Sequence, residues 1–496
     1  MLINPVKQYR LLEMIPGISI WVSLIGLIVA SFLVPTWVIA FVLAYSVYWF
    51  LRVLYFVIFI VIGWRRYRHT IAQDWTAKVQ AIPGHERLYH LMVLPTYAEP
   101  FEVLETAFES FRKAKVNPKK IIVVLSGEAR AQENFDRVSA EVRKRYSDTF
   151  FHLEITTHPD GISGEMKGKG ANAHWAGHVA KEVVDRYGIK YEDIIVSYFD
   201  IDTVVHEQYF AALEYLYLTH PNPTRTAYQP MVLYNNNIWH APLVMRVAAF
   251  GTTFWLMTDL ARPDRLFTFS SHAMSMKALV DVGFWQRDIV TDDSRIFLQC
   301  FIHYRGDFSV TPLYVPISMD TVQADTYWRS FKNLYKQQRR WAYGSEHFPY
   351  MVWHFFKRDH GIPFNKKIKY LWNLGEGMYS WATTPVILTI LGRLPFWVAP
   401  TEVQSSIFVQ MSPVFLKYML SLSMIGIMVS AALSILLLPP RPEEKHPFTF
   451  LVMLVQWIFL PITLLIWGAI PATEAQTRLM LGKYLGFWVT EKVRKT

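Results

Sequence analysis

The chain has 496 residues, of which 52% are apolar and only 18% are charged. Ordinary soluble domains carry roughly 25% charged residues, so this composition disfavours a chain that is soluble along its whole length. The net charge of +10 suits anionic lipid headgroups and a phosphate-bearing substrate, and we expect no nucleic acid partner. A single cysteine, Cys300, excludes an intramolecular disulfide.

Two apolar runs lie near the N-terminus, at residues 18–34 and 37–63. Each is long enough to cross about 30 Å of hydrocarbon, and the short link between them predicts a transmembrane helical hairpin within residues 1–69. Basic residues precede the hairpin and follow it at 65–68. Because positive charge marks the cytoplasmic side, both ends of the hairpin are predicted to be cytoplasmic, in a multi-pass protein of the plasma (inner) membrane.

Arg52 lies inside the second apolar run. Its long side chain could extend to the cytoplasmic interface of the membrane, as arginines near helix ends do. It could instead face a path that a substrate takes through the membrane. The sequence leaves both interpretations open.

Residues 70–345 are predicted to form a cytoplasmic α/β domain in which strands alternate with helices. The predicted strands are residues 90–94, 120–125, 150–155 and 194–199. This alternation indicates βαβ units and a mainly parallel sheet. Ligands of such sheets bind beyond the carboxyl ends of the strands, so the polar residues that follow each strand should converge on one cleft.

The remainder of the chain is predicted to return to the membrane. Residues 346–370 are expected to form interfacial helices, and residues 371–496 a C-terminal transmembrane region with a basic tail. Candidate spans are residues 378–397, 415–438 and 448–470, with an external loop at 400–413. Pro461 could break the last span into a re-entrant or interfacial hairpin, so the side of the C-terminus stays open.

Asp200 and Asp202 end the fourth predicted strand, in the order Phe199-Asp200-Ile201-Asp202. Residues i and i+2 of an extended chain face the same side, so the two carboxylates could hold one divalent cation. Mg²⁺ and Mn²⁺ prefer such oxygen ligands together with a diphosphate. A helix cap in a strand–helix loop is the alternative.

Thr291-Asp292-Asp293 leads into an apolar helix. One carboxylate could cap that helix. The functional interpretation is a general base for an acceptor hydroxyl, with the second carboxylate helping to tune its pKa.

Gln337, Arg340 and Trp341 lie in a basic stretch, with the i, i+3, i+4 spacing of one helix face. Arginine binds phosphate through two parallel hydrogen bonds, and an indole face stacks on a sugar ring. The alternative is a basic amphipathic helix lying on lipid. Lys169 belongs to a glycine-rich loop at 164–172, which either cradles a diphosphate or is a flexible turn.

These elements occur in an order that resembles the glycosyltransferase family 2 synthases, the group of cellulose, chitin and hyaluronan synthases. The order is Pro95-Thr96-Tyr97-Ala98-Glu99, the Lys169 loop, Asp200-Ile201-Asp202, Thr291-Asp292-Asp293 and Gln337-x-x-Arg340-Trp341, between membrane hairpins. The Q-x-x-R-W motif is typical of processive, channel-forming members, and residues 487–492 loosely resemble their C-terminal element. The resemblance implies a GT-A-type nucleotide-sugar domain inserted between transmembrane helices.

The resemblance also implies a role for each matching residue. Asp293 would be the catalytic base, and Asp200 and Asp202 would bind the nucleotide and Mg²⁺ or Mn²⁺. Gln337, Arg340 and Trp341 would frame the diphosphate and the acceptor sugar. The nucleotide pocket would be lined by Thr96, Glu99, Glu128 and Lys169.

Three departures from the family pattern leave the nucleotide base and the product open: Ala98, Ser126-Gly127-Glu128 and Thr291-Asp292-Asp293. The leading hypothesis is an inverting, processive synthase that extends a polysaccharide from a nucleotide-sugar donor, with a UDP-sugar expected. A non-processive transferase that glycosylates a membrane lipid is the second hypothesis. A catalytically inactive membrane scaffold or transporter is a remote third.

Overall fold

The computed structural model of the protein describes residues 5–357 and 361–486. The C-terminal element at 487–492 lies outside the described residues. The apolar helices occupy both ends of the chain, and an α/β domain lies between them.

One eight-stranded sheet forms the centre of the α/β domain. Its strands, numbered in chain order, are β1 Tyr89–Pro95, β2 Ile121–Glu128, β3 His152–His158, β4 Ile194–Tyr198, β5 Val204–Val205, β6 Thr226–Leu233, β7 His272–Ser275 and β8 Ser309–Ser318. They lie side by side in the order β3-β2-β1-β4-β7-β6-β8-β5. The four strands predicted from the sequence are therefore confirmed, and β1 to β4 pair in parallel as expected.

The other half of the sheet is mixed. Strand β7 runs antiparallel to β4 and β6, β5 runs antiparallel to β8, and β6 and β8 are parallel. The sheet is thus less uniformly parallel than the sequence predicted, because β5 to β8 were not recognised.

The two faces of the sheet bury separate cores, as the alternation within β1 shows. Leu91 and Val93 point to one face, and Met92 and Leu94 point to the other. The second face is covered by helices of the α/β domain alone. The first face packs on helix Lys169–Tyr187, and its core continues through Ile60 and Trp457 into the apolar helices. The sheet and the membrane-type helices therefore share one hydrophobic core.

Ten α-helices belong to the stretch between the N-terminal pair and residue 357. They are Trp75–Gln80, Phe101–Lys113, Gln132–Tyr146, Lys169–Tyr187, Tyr209–Thr219, Leu243–Leu260, Met276–Asp281, Asp292–His303, Tyr327–Ala342 and His347–Val352. Helix Leu243–Leu260 was not predicted. It lies against helix Pro35–Ile71 and strand β6, and it forms part of the shared core.

Four helices in the described part of the chain are long and apolar enough to cross a membrane. They are Pro5–Leu33, Pro35–Ile71, Ile407–Leu436 and the irregular helix Thr449–Met480. The first two follow one another with only Val34 between them, and Pro35 starts the second helix at a position where its missing N–H is harmless.

The C-terminal half departs from the predicted spans. Residues 378–397 are divided between helix Phe364–Thr389 and the short helix Leu394–Val398, and neither is among the four candidate spans. Helix Phe364–Thr389 also runs through the predicted boundary at residue 370. Helices Thr401–Gln404 and Ile407–Leu436 leave little of the external loop expected at 400–413.

Pro461 does not break the last apolar helix into a hairpin. The helix narrows to a 3₁₀ turn at Gln456–Phe459 and widens to a π turn at Leu464–Ala469. These adjustments accommodate the backbone around a proline. At its end the Arg10 guanidinium donates hydrogen bonds to the carbonyls of Leu479, at 2.7 Å, and Met480. The start of the first helix and the end of the last therefore lie together.

Gly63 shows how closely the α/β domain approaches the apolar helices. A Cβ at this position would lie 2.6 Å from Met257 Cγ and 2.8 Å from the Met257 carbonyl oxygen. The side chain of Met257 could move, but the backbone oxygen of helix Leu243–Leu260 could not. A glycine at residue 63 thus permits the contact between these two helices.

We predict that Gly63→Ala destabilises the protein by about 1–3 kcal/mol, the usual effect of overpacking a tight contact. The measurement is the thermal unfolding midpoint in detergent. Gly26→Ala is the matched control, because a Cβ there meets no described atom within 4 Å. The control should be neutral or slightly stabilising, since alanine is favoured over glycine in helices by about 1 kcal/mol. Equal effects of the two substitutions would contradict the proposed contact.

Candidate active site

A single cavity of about 1880 Å³ lies between the carboxyl ends of the strands and the apolar helices. Every site residue predicted from the sequence lies in its wall: Thr96, Glu99, Glu128, Lys169, Asp200, Asp202, Asp293, Gln337, Arg340 and Trp341. These residues come from segments up to 245 positions apart, from Thr96 to Trp341. The rule that ligands bind beyond the carboxyl ends of strands thus locates the cavity correctly.

Lys169 is the central cation of this cavity. Its Nζ lies 2.6 Å from Asp200 Oδ1 and 2.9 Å from Asp293 Oδ1, and 4.2 Å from the centre of the Tyr198 ring. Burial alone lowers the pKa of Lys169, but the Asp200 and Asp293 carboxylates outweigh this effect and raise the pKa well above its usual range. Lys169 is therefore a permanent positive charge between two carboxylates.

Asp292 points away from the open cavity. Its Oδ2 accepts a hydrogen bond of 2.5 Å from the Tyr198 hydroxyl, and the side chain is buried. Burial, and then the charge of Asp293, raise the pKa of Asp292 to about 7. The two neighbouring aspartates are thus distinct: Asp293 is ion-paired at the cavity surface, and Asp292 is buried behind it.

Asp200 and Asp202 differ in the same way. Asp200 Oδ2 accepts from the Ser270 hydroxyl at 2.6 Å. Asp202 is fully buried, and its Oδ2 accepts from the Asp320 amide at 2.9 Å. Among residues 5–357 and 361–486, no group of three or more histidine, cysteine, aspartate or glutamate side chains is arranged to hold a metal ion.

The outer end of the cavity is lined by residues that follow β1 and β2. Glu99 Oε2 accepts from the Thr96 hydroxyl and the Tyr97 amide, both at 2.8 Å. Glu128 is ion-paired with Arg130, whose guanidinium lies 5.0 Å from the Tyr97 ring centre. Burial raises the pKa of Glu128 despite this ion pair. The Tyr97 ring, the Arg130 guanidinium and the Glu128 carboxylate therefore lie close together near the outer end of the cavity.

The glycine-rich loop takes a different place from the one expected. Helix Lys169–Tyr187 begins at Lys169 itself, while residues 162 and 165–167 line a separate small pocket of about 100 Å³ that also includes Glu128. Gly170 lets this helix approach the Asp292 segment, because a Cβ there would lie 3.0 Å from the Gln286 carbonyl oxygen and 3.1 Å from Asp292 Cβ. The loop therefore positions Lys169 rather than lining the main cavity with its amides.

Gln337, Arg340 and Trp341 all face the cavity from helix Tyr327–Ala342. The opposite side of this helix is held by Glu474, which accepts hydrogen bonds from the Tyr335 hydroxyl at 2.7 Å and from Arg339 at 2.6 Å. The helix is therefore packed between the cavity and helix Thr449–Met480. It is not an isolated amphipathic helix on a lipid surface.

The cavity continues between the apolar helices. Arg52 lies in its wall, where its Nη2 is 3.1 Å from Glu376 Oε2. Trp49 and Trp381 line the same region. Of the two interpretations of Arg52, the structure supports a side chain that faces the cavity.

Three further residues in this site were not found from the sequence. Tyr198 precedes Asp200 by two positions on β4, Tyr234 follows β6, and Asn172 bonds to the Ser126 and Thr96 carbonyls at 2.9 and 3.3 Å. The Tyr234 and Trp341 ring centres are 6.0 Å apart, so the two rings form one aromatic corner. Tyr234 could have been predicted from the polar residues 235–237 that follow the strand at 226–233, but this strand was not recognised.

The sheet is of the GT-A-like mixed type, with the cavity at the carboxyl ends of its parallel strands. The sequence model described as glycosyl transferase family group 2 matches residues 195–473, more than half of the chain, and the protein belongs to this family. It is accordingly an enzyme, and the hypothesis of an inactive scaffold is set aside. A comparison with curated proteins found no match.

Two solved structures are among those with some similarity to the chain. The mannosyltransferase PcManGT from Pyrobaculum calidifontis, in complex with GDP-Man and Mn²⁺, is 14% identical, with a TM-score of 0.42 over 85% of this chain and 99% of that chain. TarS residues 1–349 from S. aureus, in complex with UDP-GlcNAc, is 10% identical, with a TM-score of 0.36 over 69% of this chain and 90% of that chain.

We predict that Asp292→Asn flattens the dependence of stability on pH. The raised pKa of about 7 means that folded Asp292 keeps a proton that the unfolded chain has already released. This stabilisation is complete below the unfolded pKa of about 4 and is lost as the pH rises through about 7. Thermal unfolding midpoints measured from pH 5 to pH 8 should therefore fall less in the variant than in the wild type. If the unfolding midpoints of the variant and the wild type changed equally with pH, the raised pKa of Asp292 would be contradicted.

Proposed function

We propose that the protein is an inverting, processive transferase that extends a polysaccharide from a nucleotide-sugar donor, with UDP as the expected nucleotide. One observation carries this proposal: a single cavity joins the residues around Asp293 and Trp341 to the space between the apolar helices. A growing chain could leave the site along that space. The catalytic domain would lie in the cytoplasm, and the apolar helices in the plasma membrane.

The donor would bind between the ends of β1 and β2 and Lys169. Tyr97 would offer the nucleobase the ring face that Arg130 does not cover, with Thr96, Glu99 and Glu128 around it. Lys169 and Arg340 would neutralise the diphosphate, and Gln337 would donate a hydrogen bond to it. This assignment places the anomeric carbon of the donor sugar near Asp293.

Asp293 would act as the general base. An acceptor hydroxyl gives its proton to the Asp293 carboxylate while its oxygen attacks the anomeric carbon, and the bond from this carbon to the diphosphate oxygen breaks. Attack from the face opposite the leaving group inverts the configuration. In the structure Lys169 contacts both Asp200 and Asp293, so it links the base to the residues that would surround the leaving group.

Asp200 and Asp202 would hold Mg²⁺ or Mn²⁺. Magnesium is commonly bound by one or two carboxylates together with substrate phosphates, so a pair of aspartates suffices when the diphosphate completes the site. The bound ion would supply counter-charge to the departing diphosphate. The carboxylate oxygens of the two aspartates fit this donor set, and both residues line the cavity.

Trp341 and Tyr234 would form the acceptor site. Their adjacent rings offer flat faces to the C–H groups of a terminal sugar. Beyond them, Trp49 and Trp381 line the cavity with further aromatic surface, and the Arg52–Glu376 pair supplies hydrogen-bonding groups for hydroxyls. Spaced aromatic and polar groups suit a glycan that moves one residue at a time.

A second candidate is the transfer of a single sugar to a membrane lipid. The observation that favours it is the largely apolar wall between the helices, which includes Phe254, Leu420, Met424 and Leu464. Such a wall accepts an acyl or prenyl chain readily. Product length separates the two candidates.

We predict that Asp293→Asn lowers the rate of sugar transfer by roughly 10²–10⁴-fold, the usual contribution of a general base. The amide keeps the shape but cannot accept the proton, so binding of the donor should persist. Asp292→Asn is the comparison, and its loss of rate should be smaller because Asp292 faces Tyr198. A mild effect of Asp293→Asn together with a severe effect of Asp292→Asn would show that Asp293 is not the base.

We predict that Trp341→Leu reduces synthesis about 10²-fold, because the acceptor sugar would no longer be held at a productive distance. The assay is incorporation from a panel of radiolabelled nucleotide sugars, with the products separated by size. Trp328→Leu is the matched control, since Trp328 lies on the same helix with 76% of its surface exposed. Wild-type protein should make long products. Normal amounts of long product from Trp341→Leu would refute the acceptor site, and single-sugar lipid products from the wild type would favour the second candidate.

A further inference from the structure

The helix that carries Asp293 begins in an unusual way. Thr291 is the N-cap residue of helix Asp292–His303, but its side chain does not cap the helix. The first amides of a helix need an acceptor from elsewhere when no such side chain supplies one. A cap on this helix was one of the two interpretations of the aspartates, and the structure shows Asp292 in contact with Tyr198 and Asp293 in contact with Lys169.

Glu346 supplies an acceptor for one of these amides, that of Thr291. Its Oε1 accepts hydrogen bonds from the Thr291 amide at 3.2 Å and from the Thr291 hydroxyl at 2.5 Å. A carboxylate at a helix N-terminus also interacts favourably with the helix dipole.

The next residue secures the same turn. Arg295 Nε donates to His347 Nδ1 at 3.1 Å, so the proton of this imidazole lies on Nε2, which is 2.7 Å from Ser294 Oγ. Burial, and then the Arg295 charge, keep the pKa of His347 well below its usual range, so the ring is neutral. Glu346 and His347 thus fix the first turn of the helix from one side.

We infer that Glu346 is a positioning residue that holds Asp293 in place for the transfer reaction, an inference that rests on the proposed function. Glu346 follows Trp341 by five positions in the chain. The segment after the Q-x-x-R-W motif is therefore the connection between the groups that would bind acceptor and diphosphate and the turn that bears the base. A shift of this connection changes the distance from Asp293 to the acceptor hydroxyl.

The test compares Glu346→Ala with Glu346→Gln. We expect Glu346→Ala to lower kcat about 10²-fold, as a misplacement near 1 Å does, with the affinity for the donor unchanged. Glu346→Gln should lose less, about tenfold, because its amide oxygen still accepts from Thr291 but carries no charge. Glu214→Ala is the control: Glu214 is another buried carboxylate, 2.9 Å from His90 Nε2 and outside the cavity, and its variant should keep the wild-type rate.

A double variant shows whether Glu346 acts through Asp293. Residues that act as a unit are not additive, so adding Glu346→Ala to Asp293→Asn should change the remaining rate by less than about twofold. The inference would be overturned if Glu346→Ala lowered the rate of the Asp293→Asn variant by the same factor as it lowers the wild-type rate. It would also be overturned if Glu346→Ala and Glu214→Ala had equal rates. If Glu346→Ala does not fold, Glu346→Gln is combined with Asp293→Asn in the same way, and full additivity there overturns the inference.

The proposed function can fail separately. Short lipid-linked products from the wild type would refute processive synthesis, and the same pattern of rates among the Glu346 variants would still support the positioning role. A near-normal rate for Asp293→Asn alone would instead refute the base and this inference together.

Discussion

The ion pairs of Lys169 with Asp200 and Asp293 are the interaction on which the site depends. Three aspartates, at 200, 292 and 293, lie close to one another at the edge of the sheet, and their mutual repulsion in a buried region would be severe. The Lys169 ammonium offsets two of these charges, and the protonation of Asp292 removes much of the third. Without this cation the two loops that carry the aspartates would repel each other.

The position of Lys169 has a structural cause. It is the first residue of helix Lys169–Tyr187, so its side chain leaves the helix at the end that faces the sheet edge. Gly170 brings that helix end within contact distance of the Asp292 segment. The lysine therefore reaches both carboxylates from a rigid element, whereas a lysine in the preceding loop would lose more side-chain entropy on forming the same pairs.

The sequence predicts the first half of the sheet because apolar strands followed by polar residues leave a local pattern. The ten site residues in the cavity wall were predicted from such patterns together with the order of motifs that resembles the family. The roles of these ten residues stay predictions. Strands β5 and β7 are too short to leave a clear pattern, with two and four residues, and prolines interrupt the longer strands β6 and β8. Their places depend on non-local pairing, and so does the place of Tyr234. The cap from Glu346 joins residues 55 positions apart, which no spacing rule relates.

The boundaries between the membrane helices and the α/β domain also could not be predicted from local sequence patterns. Helix Leu243–Leu260 is not among the candidate spans, yet it packs against helix Pro35–Ile71 and belongs to the shared core. Helix Phe364–Thr389 passes from the domain into the apolar layer without a break. Composition changes gradually along such helices, so a boundary drawn from composition falls inside an element.

The shared core gives the cavity its continuity. A catalytic domain joined to its membrane helices by flexible linkers would move relative to them, and a product path between the two could not stay aligned. Here the Gly63–Met257 contact and the Glu474 hydrogen bonds connect the two parts at separate points. Helix Tyr327–Ala342 is the element that both parts hold: its cavity face carries Trp341, and its other face is bound through Arg339 to helix Thr449–Met480. The aromatic corner of Trp341 and Tyr234 is thereby fixed to the membrane helices as well as to the sheet, which is the geometry that the proposed passage of a growing chain requires.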